Sequence, residues 1–101
     1  MELSSFSVQE VVAKLVASFR STASQKSVLL TRSISPDVPE KIVGDRFRIE
    51  TVIAHLLSNA IKFSPNGSSV QINVSTSFGM LQLRCVTEES FGRIEMICFL
   101  R

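Results

Sequence analysis

The chain has 101 residues, 45% of them hydrophobic and 20% charged, with a formal net charge of +2. That length suits one domain around one core and excludes a multidomain reading, and so small a charge, spread along the chain, leaves no footprint for nucleic acid or for insertion into a membrane. Cys85, Cys98 and the single histidine make neither a CxxC redox pair nor a zinc cage, and with no leader-like segment and no apolar run of membrane-spanning length the expectation is a soluble, cytoplasmic chain.

The first element begins at Phe6-Ser7-Val8. Ser7 and Glu10 have the spacing of a capping box, in which each side chain bonds the other's backbone amide. Val8, Val11, Val12, Leu15, Val16 and Phe19 then recur at the three-and-four spacing of one helix face, which predicts a helix to about Ser24 with Gln9, Glu10, Lys14 and Ser18 toward water. The period changes at Ser27. Val28, Leu30 and Ile34 point one way and Leu29, Thr31 and Ser33 the other, as in a strand over 27–34. Pro36 and Pro39 make 35–40 a surface loop, and Lys41-Ile42-Val43 is too short for more than a brief extended piece before Gly44.

Between Gly44 and Gly67 the spacing is helical again, through Ile49, Val52, Ile53, Leu56, Leu57, Ala60 and Ile61. Asp45 is placed to accept from first-turn amides, and Pro65 stops the helix ahead of a Pro-Asn-Gly turn, so the helix occupies 45–64. Arg48, His55, Asn59 and Lys62 fall along one flank, beside the apolar face. That set suits a polyanion and its metal: the cations donate to phosphate oxygens, and a neutral amide oxygen is a hard ligand for Mg²⁺. The plainer alternative is the solvated side of an amphipathic helix, with His55 a helix histidine that has no chemical task.

Val70, Ile72 and Val74 next alternate with Gln71, Asn73 and Ser75, and Leu81, Leu83 and Cys85 with Gln82 and Arg84. Phe78-Gly79 supplies the turn of an antiparallel hairpin that joins 70–76 to 80–87. Ile94 to Leu100 reads as a third strand, with Ile97 and Phe99 blurring its alternation.

The run HLLSNAIKFSPNG, preceded by GDRFRIETVI, resembles the N box of sensor histidine kinases, in the ATPase superfamily of DNA gyrase, the heat-shock chaperone ATPases and the mismatch-repair ATPases. Leu56, Leu57, Asn59, Ala60, Lys62, Phe63, Ser64, Pro65 and Gly67 match, as do Asp45 and Arg48; the likeness covers about Phe6 to Val74, with a weaker echo to Gly92. The resemblance implies an α+β fold, a two-layer α/β sandwich with two helices on one face of a mixed, largely antiparallel sheet, as a single domain over 1–101. It implies ATP and Mg²⁺ as ligands, with Asn59 the metal ligand, Lys62 a phosphate contact and Phe63 near the nucleotide. His55 stands where the box has its first Asn; it is not the phosphorylated histidine of these kinases, which lies on a separate dimerisation helix.

In the family the second strand of this hairpin runs into Asp-x-Gly-x-Gly, whose Asp accepts from the adenine amino group. The corresponding run here is Val86-Thr87-Glu88-Glu89-Ser90-Phe91-Gly92, with Glu88 for the Asp, Ser90 for the first glycine and Gly92 retained. Residues 88–92 therefore read as a degenerate glycine box, with neither a second box nor a lid expected in this sequence; an excerpt of a longer protein whose remaining portion holds the lid is the alternative. Two functions remain open. One is an incomplete ATP/Mg-binding domain of a two-component histidine kinase, not expected to transfer phosphate by itself. The other is a degenerate kinase-like module that docks a helical dimerisation or phosphoacceptor segment or another regulator.

Overall fold

Alternation of apolar residues in the strands and three-and-four spacing in the helices give each element one buried side, and the elements stack on those sides. The computed structural model describes residues 3–77, 80–89 and 92–100, with side chains for 3–76 and 80–86. In chain order it contains β1 (Ser4–Phe6), α1 (Val8–Gln25), β2 (Leu29–Ile34), β3 (Ile42–Gly44), α2 (Arg46–Phe63), β4 (Ser69–Ser77), β5 (Met80–Glu89) and β6 (Gly92–Leu100). The main sheet has the order β2-β4-β5-β6, with β2 parallel to β4 and the other pairs antiparallel. Val70, Ile72 and Val74 of β4 and Leu81, Leu83 and Cys85 of β5 are buried beneath the two helices, whereas Gln71 is exposed. This is the expected two-layer α+β sandwich with a mixed, largely antiparallel sheet. Among the described residues no helix is long and apolar enough to cross a membrane.

β1 and β3 form an element that the sequence pattern does not announce. They pair antiparallel, Ser4 opposite Gly44 and Phe6 opposite Ile42, as a separate two-stranded ribbon. Ser-Ser-Phe carries no alternation, and its partner lies far along the chain, so only the folded molecule brings the two together. Phe6 is buried, and a Cβ at Gly44 would meet its ring at 3.9 Å and Ile49 Cδ1 at 3.8 Å, so the ribbon closes over the start of α2.

Helix ends follow the cap chemistry. Glu10 N donates to Ser7 Oγ at 3.3 Å, which is one half of the expected box; the reciprocal bond is not formed among the described residues. α1 ends one residue beyond the expected Ser24, where Val28 N donates to Ala23 O at 2.8 Å and Ser27 N to Ser24 O at 2.9 Å. That is a Schellman closure, and Ser27 takes the left-handed position at φ 59. Val28 and Ala23, the two residues such a closure brings into contact, are both buried.

α2 is tied more heavily. Asp45 Oδ1 accepts from Arg48 N at 3.2 Å at its start, and the buried Ser64 donates Oγ to Ala60 O at 2.6 Å at its end. Lys26, just past α1, then donates Nζ to Ile61 O at 3.0 Å, which also accepts from Ser64 N at 3.3 Å, and to Lys62 O at 2.7 Å in the last turn of the helix. Glu50 links the helices from the other side, accepting from Arg46 Nε at 3.0 Å and lying 3.4 Å from Lys14 Nζ of α1.

β6 forms where a third strand was expected, with Leu83 opposite Cys98 and Cys85 opposite Met96, so the two cysteines are not cross-strand partners. Cys85 is fully buried, and burial pushes its thiol pKa up to about 12. It is an inert core side chain. The Phe78-Gly79 turn lies outside the described residues.

Two measurements test these ties. Lys26→Met should lower stability by about 1 kcal/mol in urea denaturation, because two terminal carbonyls lose a charged donor. The Glu50 carboxyl is held below its usual value by the Arg46 hydrogen bond, with Lys14 adding to it and desolvation opposing. Its contribution is therefore complete above the unfolded value of 4.5 and is lost as pH falls through the lower folded value. Glu50→Gln should thus be less stable than wild type by about 0.5 kcal/mol near neutral pH, and the gap should close in acid.

Candidate functional site

The apolar stripe of α2, buried at Ile49, Ile53, Leu56, Leu57, Ala60 and Ile61, fixes what its other side chains can reach. At about 100° per residue, Asn59 lies next to the buried stripe, and His55, Arg48 and Lys62 lie further round. Asn59 is accordingly half-buried, while Arg48, His55 and Lys62 are exposed. The flank expected beside the apolar face is thus a border at Asn59 alone, and the other three residues face water. The stripe is wide enough to take Leu56 and Ala60 on either side of Asn59 in sequence, but not the positions beyond.

Within this group the shortest contact joins His55 and Asn59, neighbours across one helical turn. Asn59 Nδ2 is 3.0 Å from His55 Nε2. An amide nitrogen can only donate, so this contact is a hydrogen bond in the tautomer whose imidazole proton is on Nδ1 and whose Nε2 accepts. Asn59 Oδ1 takes part in no hydrogen bond among the described residues, which leaves a neutral, hard oxygen donor free. Lys62 Nζ lies 5.4 Å from the centroid of the Phe63 ring, within cation–π reach, and Phe63 is 62% exposed at the end of the helix. The backbone beneath them is fixed by Lys26, which holds the Lys62 carbonyl.

Glu88 and Gly92 are placed by the backbone alone. Glu88 is a residue of β5 whose Cα partners are Ser69 on β4 and Arg93 on β6; Gly92 opens β6 opposite Glu89. The stretch expected as a degenerate glycine box is therefore drawn into the sheet as the facing ends of two strands, and both strands run longer than 80–87 and 94–100 suggest. Ser90 and Phe91 lie outside the described residues. Among the described residues no three His, Cys, Asp or Glu side chains come together as a metal cage. Two open hollows lined by described residues lie elsewhere, one at the start of α2 around Asp45, Phe47 and Glu50, the other beside β2 around Ser24, Ser27 and Leu29.

Sequence reasoning passed over two features. The Lys26 bridge carries no local signal, since donor and acceptors are thirty-five and thirty-six positions apart. The His55–Asn59 contact does carry one, the four-residue spacing that makes helix neighbours.

No family model matches the chain. It is 37% identical over 93 residues to Histidine kinase 5 of Arabidopsis thaliana, a match covering 92% of this chain and 9% of that protein. It is 42% identical over 65 residues to the sensor histidine kinase RcsC of Escherichia coli, covering 64% of this chain and 7% of that one. The chain thus spans less than a tenth of the length of these curated relatives. Among solved structures, the catalytic domain of the histidine kinase ThkA in a nucleotide-free form matches with a TM-score of 0.76 at 18% identity, covering 87% of this chain and 60% of that one. Full-length ShkA in complex with AMPPNP matches with a TM-score of 0.77 at 17% identity, covering 85% of this chain and 18% of that one. In sequence over most of its length the chain is similar to histidine kinases, and in fold to the catalytic domain of the histidine kinase ThkA.

Proposed function

We propose that the chain, taken as one unit over 1–101, is the ATP/Mg-binding portion of a two-component histidine kinase. The observation that carries this reading is the half-buried Asn59, with an uncommitted amide oxygen one turn from the exposed Lys62 ammonium, on a helix pinned at both ends within a histidine-kinase-type fold. The residues fit Mg²⁺, which is commonly held by one or two protein oxygens with nucleotide phosphates and water completing its shell. Bound Mg²⁺ would supply charge neutralisation on the phosphates. Asn59 Oδ1 would be its protein ligand, Lys62 would donate to a phosphate oxygen, and the exposed face of Phe63 would border the nucleotide. His55, Glu88 and Gly92 complete the proposed nucleotide site. A phosphoacceptor histidine on a helical dimerisation segment and a response regulator are the partners this reading requires, and the cytoplasm is where it places the domain. Activity would consist of positioning and charge neutralisation, with no covalent step on these residues.

One observation favours the second reading, a regulatory module that docks a helical segment without nucleotide. Glu88 is paired in the sheet on both sides and Glu89 faces Gly92. Backbone committed to a ladder on both edges is not free to come close to a nucleotide base.

Titration with AMPPNP and Mg²⁺, followed by amide resonances, separates the two. Nucleotide binding should move Asn59, Lys62 and Glu88 together. Asn59→Ala should remove the Mg²⁺-dependent part, and Lys62→Ala should weaken binding about tenfold through loss of a charge-assisted hydrogen bond. No movement at those residues up to millimolar nucleotide would leave the regulatory module.

A further inference from the structure

We infer that His55 is a positioning residue for Asn59: by accepting the amide N–H it turns the carboxamide so that Oδ1 faces outward to the divalent cation of a bound nucleotide. The inference rests on the nucleotide-binding reading and says how that site is held ready.

A lone asparagine on a helix can present either end of its carboxamide, and only the oxygen end serves a hard cation. His55 breaks that balance. Its Nε2 lies 3.0 Å from Asn59 Nδ2, and a ring nitrogen with its proton on the far side accepts from N–H but meets a carbonyl oxygen lone pair to lone pair. Four-residue spacing on one helix keeps the two side chains within reach without long-range support. The helix itself does not yield, since Leu56, Leu57 and Ala60 between and beside them are buried and the last turn is held by Lys26 and Ser64. Asn59 is half-buried at the edge of this packing, and rotation of its carboxamide is the freedom that His55 removes. The imidazole in this account is a second-layer partner of a metal ligand, a kind of contact whose loss commonly costs tenfold or more in metal affinity.

Two measurements on the isotope-labelled whole chain decide it. Without nucleotide, near neutral pH, a scalar coupling across the N–H···N bond between Asn59 and His55 is expected, with ring nitrogen shifts of the Nδ1–H form. A ring protonated on Nε2, with no such coupling, would overturn the inference whatever the protein binds. With AMPPNP, His55→Phe should weaken the Mg²⁺-dependent component of binding about tenfold, because the ring volume stays and the acceptor goes. His55→Gln should restore it, since a side-chain carbonyl at the same position can accept the same N–H. Equal Mg²⁺ dependence in wild type and His55→Phe would also overturn the inference. A wild-type chain that shows the coupling but takes up no nucleotide would sink the nucleotide-binding reading and leave the orientation of the carboxamide standing.

Discussion

Burial of one stripe of α2, with both ends of that helix tied, decides where everything else can be. Ile53 and Leu57 are fully enclosed, each contributing about 2 kcal/mol by removal of apolar surface from water. Asp45 fixes where the helix starts, and Ser64 and Lys26 fix where it stops. A rotation of α2 by one residue would swing Asn59 by about 100° and carry charged side chains toward the sheet, a cost far above any gain available at the surface. The backbone positions of Asn59, His55 and Lys62 are therefore set by the core behind them. Rigid placement on a regular element is what a binding group needs if its geometry is to be right before the ligand arrives.

The sheet sets the complementary limit. β4 is the strand that β2 and β5 both flank, so the parallel pairing to β2 and the antiparallel pairing to β5 must agree in register before the helices have a floor. They do so with Val70, Ile72 and Val74 inward and Gln71 outward. Farther along, the same pairing reaches Glu88 and Glu89, in the stretch whose resemblance implied a degenerate glycine box. Two tendencies meet there: the ladder favours continuing the strands, and a site for a base needs backbone free to come close to it. In this chain the ladder extends through that stretch, which is the physical ground for taking the regulatory reading seriously beside the nucleotide-binding one.

Much of this was legible in the residues. The spacing of Val8, Val11, Val12 and Val16, and of Ile49, Ile53, Leu56 and Leu57, announces two helices because burial is what that spacing achieves. The alternation at 70–74 and 81–85 announces a hairpin for the same reason. Asp45 and Pro65 mark the ends of α2 because caps and breakers act locally. The β1–β3 ribbon was not legible, since Ser4 and Ser5 have no pattern and their partners are remote. Nor was Lys26, a lysine like any other until α1 ends and the carbonyls of α2 come within its reach. In the candidate site, the residues could be named from the N-box resemblance and their grouping from helical spacing. What spacing overstated was proximity to the core: only Asn59 borders it, because a stripe this wide shelters one neighbour on that side and not the next turn of the cylinder.

Mn²⁺ in place of Mg²⁺ gives the most direct test of whether the outward stripe of α2 holds a nucleotide-bound cation. With Mn²⁺ and AMPPNP at low occupancy, paramagnetic broadening should be strongest at Asn59, weaker at His55 and Lys62 on the same side of the helix, and weakest within α2 at its far end around Arg46, about 20 Å along the axis. Broadening centred on the carboxylates of Glu50 or Asp37, or none near α2 at any nucleotide concentration, would contradict it.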